Sequence, residues 1–331
     1  MHNLIGQRYD RICTYFDAMR NSIAVCAAIV LFAMSSTAPS LLSAVFSRRW
    51  LENQRGGLRT RLSRWRILHW MLLQRFGFNR WVHAPLFFSE RMWVLTGETT
   101  SSGLLGFGYA EAALTALMLE ILKPGMRVVD IGAHLGYEAM LACATVGESG
   151  RVVSFEPQQR IVAWTVRNLQ PFPQCRVVPS AVGDFNGLVE FSEMDLLRSA
   201  FSGAEATGAV ARRTRVPVTT LSIALRKDER PVDFLKCDVE GAEMAVLRGA
   251  VDILRLDQPL LVLEAEMPFA SDRRPRVDEF AEFLAPLGYA GFFFEFDGHL
   301  KVGRLRAFDV GHANVGFAPR SRPEFRWLVP A

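Results

Sequence analysis

The chain has 331 residues, half of them hydrophobic, and a formal net charge of +4. That is enough apolar material for one ample core and a smaller appendage, and it excludes a disordered chain. Five cysteines, Cys13, Cys26, Cys143, Cys175 and Cys237, show neither C-x-x-C spacing nor a disulfide-dense pattern, which points to a reducing compartment. Ten arginines fall between Ser47 and Trp93 against Glu52 and Glu90, so the remainder is slightly acidic and no nucleic-acid partner is implied.

Ser22 to Met34 is almost wholly apolar, and after a Ser/Thr/Pro break a second apolar stretch runs to Phe46. A bilayer core needs about 20 apolar residues, so a signal anchor, a cleavable signal and an over-extended start, with Met19 or Met34 as the true one, stay open as readings. Residues 1–50 are set apart as a hydrophobic N-terminal segment, and the arginine excess after Phe46 favours a cytoplasmic location for the catalytic part of the chain. Residues 51–100 are expected to form a basic, aromatic, helical appendage. Within it, Arg59 to Phe78 alternates Arg and Trp with Leu, Ile and Met, so it suits either a helix capping the sheet or contact of residues 22–80 with an anionic membrane surface. Residues 101–331 are assigned to the main domain.

Gly108 to Leu122 lacks helix breakers and predicts a helix carrying Glu111. After Lys123-Pro124-Gly125 come an apolar strand, Val128 to Ile131, and a glycine loop, Gly132 to Gly136. A helix over Tyr137 to Val146 and a second strand, Arg151 to Phe155, are next. Glu156, at that strand's tip, lies twenty residues beyond Gly136. A glycine turn after one strand and an acid after the next suit a nucleoside with a charged tail. The loop reads Asp-x-Gly-x-x-x-Gly, not the dinucleotide G-x-G-x-x-G. Asp130 would repel a pyrophosphate and attract the ammonium and sulfonium of S-adenosylmethionine, so that nucleoside is preferred over NAD.

A helix from about Gln158 to Leu169, a strand from Cys175 to Pro179, a further strand at Gly187 to Ser192 and another at Arg215 to Thr220 are expected. Between the last two, Leu196 to Arg213 has no clear period and reads as a mobile loop by the acceptor or as an ordinary surface loop. Two more aliphatic runs close in acids: Val232 to Asp238 with Glu240, and Pro259 to Glu264 with Glu266. Val277 to Leu287 predicts a helix, and Ala290 to Phe296 and Ala313 to Pro319 two late strands. Strands that are polar only at their carboxyl ends place a ligand crevice there.

Five words in this order, VVDIGAHLGY (128–137), VVSFEP (152–157), SAVGD (180–184), LKCDVEGAEMAVLRGA (235–250) and PLLVLEAE (259–266), resemble the FkbM-type family of S-adenosylmethionine-dependent methyltransferases. The resemblance covers roughly Glu111 to Glu266 and implies an α/β fold. Its core would be a Rossmann-like, seven-stranded class I sheet, mostly parallel with an antiparallel late strand. It further implies S-adenosyl-L-methionine as cofactor, with Asp130, Gly132, Ala133, His134, Gly136 and Tyr137 around its methionine part. Glu156 and Pro157 would lie at the ribose and Ser180, Ala181 and Val182 at the adenine, with Glu111 closing over the cofactor. Lys236, Asp238 and Glu240 would stand beside the methyl group and the acceptor. His134 departs from the more usual Asn and would make binding pH-sensitive near neutrality.

The expected reaction is O-methylation of a hydroxyl on a sugar, a glycan or lipid, or a secondary metabolite. Asp238 is the first candidate base, Glu240 the second or a helix cap, and Lys236 a partner that keeps the acids ionised. If the strand persists, Asp238 and Glu240 share a face and Cys237 faces away as a packed thiol. No Cys/His spacing indicates a metal, and none is assigned. The alternative is an inactive nucleoside-binding scaffold or regulator held at a membrane.

Overall fold

A computed structural model describes residues 79–203, 210–265, 276–296, 300–305 and 314–329. The apolar segment 22–46, the Arg/Trp stretch 59–78, Glu266 and part of the 196–213 loop lie outside the described residues. Among the described residues no helix is long and apolar enough to cross a membrane.

The described part of 51–100 is not helical as expected. Its strands β1 (Trp81–Pro85) and β2 (Arg91–Leu95) form an antiparallel hairpin. Period-two burial of Met92 and Val94 selects the strand there. Helix α1 (Thr99–Phe107) comes next, capped by Glu98, whose carboxylate accepts from the backbone N–H groups of Thr100 and Ser101. The helix expected from Gly108 starts only at Ala112, as α2 (Ala112–Ile121). Gly108 and Glu111 are both left-handed, at φ 77° and 41°, and the break between them separates the two helices.

The central sheet is built from β3 (Arg127–Ile131), β4 (Arg151–Phe155), β5 (Cys175–Val178), β9 (Phe234–Cys237), β10 (Leu260–Glu264), β11 (Tyr289–Phe296), β12 (Leu300–Arg304) and β13 (Asn314–Pro319). Its order is β12-β11-β13-β10-β9-β3-β4-β5. The five strands from β10 to β5 are parallel, and β13 runs antiparallel between β10 and β11. The class I arrangement is therefore present with eight strands, one more than expected. The addition is β12, which pairs antiparallel with the aromatic β11 and covers its edge.

Helices α3 (Tyr137–Val146) and α4 (Gln159–Leu169) make the crossovers from β3 to β4 and from β4 to β5. Between β5 and β9 the chain leaves the sheet to form a small one of β6 (Ala181–Val182), β7 (Gly187–Glu193) and β8 (Arg212–Thr219), in the order β6-β8-β7. It returns through α5 (Leu221–Ala224) to the other side of β3. Helices α6 (Glu243–Gly249), α7 (Val251–Leu256) and α8 (Arg276–Leu284) complete that layer.

Each central strand is buried on both faces, as parallel sheets require. Val128, Val152 and Phe234 pack with α2 and α3, whereas Val129, Val153 and Leu235 pack with α6, α7 and α8. Strand order reverses between β3 and β9. Open α/β sheets keep their ligand crevice at the carboxyl ends beside such a switch.

Candidate active site

A cavity of about 420 Å³ opens at that switch point, lined by the tips of β3, β4, β9 and β10. At and beneath its floor runs a row of polar side chains that neighbouring strands bring side by side, of which Lys236 reaches the cavity. Lys236 on β9 is the register partner of Asp130 on β3, which is the partner of Ser154 on β4. Lys236 is 2% exposed and Asp130 1%. The ammonium lies 3.6 Å from Asp130 Oδ1 and 3.2 Å from Asp238 Oδ2, and donates to the Gly132 carbonyl at 3.3 Å.

Burial alone would lower the Lys236 pKa, but the surrounding Asp238, Asp130, Glu138 and Glu111 raise it well above its ordinary value. The acids respond in kind. Burial raises Glu138 to about 8, with Lys236 opposing and Glu111 and Asp130 adding to the rise. One lysine thus stands among four carboxyl groups, and Glu138 Oε1 has no hydrogen-bond partner among the described residues. The cavity's own charge balance favours a cationic ligand.

Glu156 sits at the tip of β4, nearly buried. Its two oxygens accept from the backbone N–H groups of His134 and Gln158, each at 2.7 Å. Burial raises it to about 7 against the pull of those two donors. The acid ties the glycine loop to the start of α4 while facing the cavity. Beyond it, Ser180 donates to the carbonyls of Ala181 and Pro217, which staples the wall made by Ser180, Ala181 and Val182 to β8.

Gly132 and Gly136 hold φ of 82° and 90°, open to glycine without strain. At Gly132 the lack of a side chain serves the packing of the chain itself. A Cβ there would lie 1.7 Å from the Asp238 carbonyl oxygen, so glycine is needed for β3 and β9 to close at their tips. At Gly136 a Cβ would meet Leu169 and Thr165 of α4.

The structure brings Glu111, Gly132, Ala133, His134, Tyr137, Glu156, Pro157, Ser180, Ala181, Val182, Lys236, Asp238 and Glu240 to one cavity. Asp130 and Gly136 do not line it. Asp130, expected around the methionine part of the cofactor, lies beneath the loop and acts on the cavity through Lys236. Glu111 precedes α2 and does not lie within a helix. Its carboxylate accepts from Asn314 Nδ2 at 2.7 Å, which joins α2 to β13.

Strand β9 ends at Cys237, so the alternation expected to put Asp238 and Glu240 on one face does not operate. Cys237 is a buried free thiol. Asp238 and Glu240 belong to a loop in which Glu240 is left-handed at φ 53°. The helix-capping reading of Glu240 also fails: α6 starts at Glu243 without a side-chain cap, and the Glu243 carboxylate accepts from the N–H groups of Val239 and Gly241. Asp238, Glu240 and Glu264 each offer an oxygen within 4.8 Å of the others. Burial first, then the charges of Asp238 and Glu240, push Glu264 up to about 11, so this carboxyl carries a proton at neutral pH. The three acids are where a divalent cation would be held in place of that proton.

His134 is left-handed at φ 48°, a conformation that Asn also tolerates. Burial lowers its pKa, so the ring is neutral at pH 7 and its titration moves to the acid side of the range expected. Its Nε2 lies 2.8 Å from Ser199 Oγ. Ser199 belongs to a short 3-10 helix, Leu196–Phe201, within the segment read as a loop. Ser202 Oγ accepts from Gln158 Nε2 at 3.2 Å and from Met194 N at 2.9 Å. Two serines thus fasten this segment over the glycine loop and the start of α4, and Ser199, Ala200 and Ser202 roof the cavity. Sequence reasoning missed these serines, Glu138, and Thr100 and Leu104 of α1. The serines lie in an aperiodic stretch, and Glu138 looks like an ordinary first-turn acid.

Comparison with known proteins agrees with this geometry. Residues 130–291 match the methyltransferase FkbM domain. The chain carries an FkbM-type methyltransferase domain. Two curated relatives are protein-L-isoaspartate O-methyltransferases: one from Thermotoga maritima, 34% identical over 90 residues, and one from Arabidopsis thaliana, 33% identical over 95. Each match covers 27% of this chain, and the matches span 28% and 41% of those relatives. Among solved structures, a methyltransferase FkbM from Methylobacillus flagellatus covers 66% of this chain and 53% of its own at 15% identity and a TM-score of 0.38. Aeropyrum pernix fibrillarin with bound S-adenosyl-L-methionine covers 60% and 68% at 14% identity and a TM-score of 0.35. The FkbM match begins within β3 and ends within β11, so it contains the glycine loop, Glu156 and the whole β9 tip.

Proposed function

We propose that the protein is an S-adenosyl-L-methionine-dependent methyltransferase that methylates a hydroxyl oxygen. The observation that carries this reading is the FkbM domain whose strand tips enclose a cavity with one lysine among an excess of carboxyl groups. That excess fits the ammonium and sulfonium of the cofactor, and the orphaned Glu138 oxygen is a ready acceptor for the ammonium. Glu156 would take the ribose hydroxyls, and the wall at Ala181 and Val182 the adenine. Both curated relatives are O-methyltransferases by name, which supports oxygen as the receiving atom.

When bound, the cofactor supplies a methyl group on sulfur that passes in line to an attacking oxygen, the C–S bond breaking as the C–O bond forms. The chain's own part is to hold the acceptor on that line and to take its proton. Asp238 is placed for the proton, its carboxylate lying on the cavity wall 3.2 Å from the Lys236 ammonium. The protonated Glu264 and the neighbouring Glu240 orient it. The roof held by Ser199 and Ser202 excludes water from the reacting atoms.

Calorimetric titration with S-adenosylmethionine, S-adenosylhomocysteine and NAD tests the reading. Micromolar binding of the two adenosyl ligands, none of NAD, and an affinity loss of about 10- to 100-fold in Glu156→Gln are expected, from one or two charged hydrogen bonds. A folded protein that binds no adenosyl ligand would refute it.

A further inference from the structure

The small sheet of β6, β7 and β8 has two unlike faces. Phe191, Val216 and Val218 turn inward and are buried, and Val189, Phe191 and Val218 wall the cavity. The alternate positions turn outward. There the register sets Leu188 against Pro217, Glu190 against Arg215 and Ser192 against Arg213. Arg213, Arg215, Glu190 and Pro217 are all exposed.

At the Gly187 end of this face stand large apolar side chains open to water. Leu188 is 61% exposed, Phe185 in the preceding turn 48%, and Ile223 on α5 69%. The turn is held beside α5, because Asn186 Oδ1 accepts from Thr219 Oγ1 and from the Thr220 N–H, both at 3.1 Å. Aliphatic and aromatic groups therefore cluster at one end, and Arg213 and Arg215 against Glu190 line the other. Phe185 is also on the cavity lining, so one rim of the cavity borders this face.

We propose that this face docks on an anionic lipid bilayer and that the hydroxyl acceptor is lipid-linked. The docking stands on the sheet's own geometry, while the lipid-linked acceptor rests on the methyltransferase reading above. Charge complementarity selects the occupant. Headgroup phosphates meet Arg213 and Arg215, and Leu188, Phe185 and Ile223 enter the headgroup–acyl boundary. Arginine stems lie along such a boundary with their heads at the phosphates. A polynucleotide backbone would satisfy the arginines but leave the aliphatic groups in water.

The test uses the full chain with an environment-sensitive fluorophore on Leu188→Cys, on Ile223→Cys, and on Val166→Cys of α4 as a control. Label on the wild-type chain gives the background from the native cysteines. Blue-shifted emission at 188 and 223, but not at 166, is expected with phosphatidylglycerol-containing vesicles and not with phosphatidylcholine alone. Arg213→Ala/Arg215→Ala should weaken vesicle partitioning about 25-fold, from about fivefold per arginine. Unchanged emission at 188 and 223 on anionic vesicles, even if the chain sediments with them, would overturn the docking surface. The same blue shift with single-stranded RNA would do so too. Calorimetry with S-adenosylmethionine on these variants should give wild-type affinity. No S-adenosylmethionine binding by the wild-type chain counts against the methyltransferase reading, and a missing vesicle response against the docking face.

Discussion

At the scale of single residues, the lysine beneath the cavity decides most of the electrostatics. Removing one partner of a buried ion pair leaves the other uncompensated and costs about 3–5 kcal/mol. Lys236→Met should cost an amount of that order in urea unfolding at pH 8. Asp130, whose pKa burial already raises, would then take a proton more readily, so the loss should be smaller near pH 5. Adding Asp130→Asn should restore part of the stability, and an unchanged loss in the double variant would show that packing of the lysine stem dominates. Asp238→Asn tests the proton step. It should lower kcat by about 100-fold or more with cofactor affinity largely kept, and full turnover would remove Asp238 as the base.

Among the elements, the roof and the strand tips are coupled by close approach. Gly132→Ala would push a methyl group into the Asp238 carbonyl at a left-handed position, and the expected outcome is a protein with little soluble yield. Ser199→Ala is milder. It removes the His134–Ser199 contact and leaves the central sheet intact. Cofactor dissociation should speed up several-fold in stopped flow while the melting temperature changes little. A Ser199→Ala protein with unaltered dissociation would show that the roof does not hold the ligand. Asn168 makes a second coupling: it accepts from Trp93 N, and donates to the carbonyls of Trp93 and Leu135, joining the hairpin, α4 and the glycine loop. The hairpin and the roof therefore both act on the same loop.

For the whole molecule, the buried acids set the dependence of stability on pH. Glu156 and Glu138 hold protons to about 7 and about 8 in the folded chain, against 4.5 ordinarily. Between about pH 5 and 8 the folded chain binds more protons than the unfolded one, so stability falls as pH rises through that window. Lys236 stays protonated in both states there and adds no slope. Thermal melts should therefore show a higher midpoint near pH 5.5 than near pH 8, and Glu138→Gln/Glu156→Gln should flatten the difference. A midpoint that rises with pH would mean that other groups dominate.

The sequence by itself determined the alternation of apolar runs and helices, the glycine loop, the acid after β4 and the acids after β9. Each of these is a local pattern: consecutive aliphatic residues buried on both faces, and polar residues where a strand must stop. Tyr137–Val146 and Cys175–Val178 lie where that pattern puts them. Only the tertiary structure decided what those residues face. Asp130 is under the loop because Lys236 arrives beside it from a strand over a hundred residues away. Gly132 is a glycine because Asp238 arrives above it. The eighth strand exists because residues 300–304 pair with β11, and the roof because two serines in an aperiodic stretch find His134 and Gln158. Charge, close approach and hydrogen bonding between distant segments depend on strand order, and strand order is a property of the whole sheet that no stretch of the sequence displays.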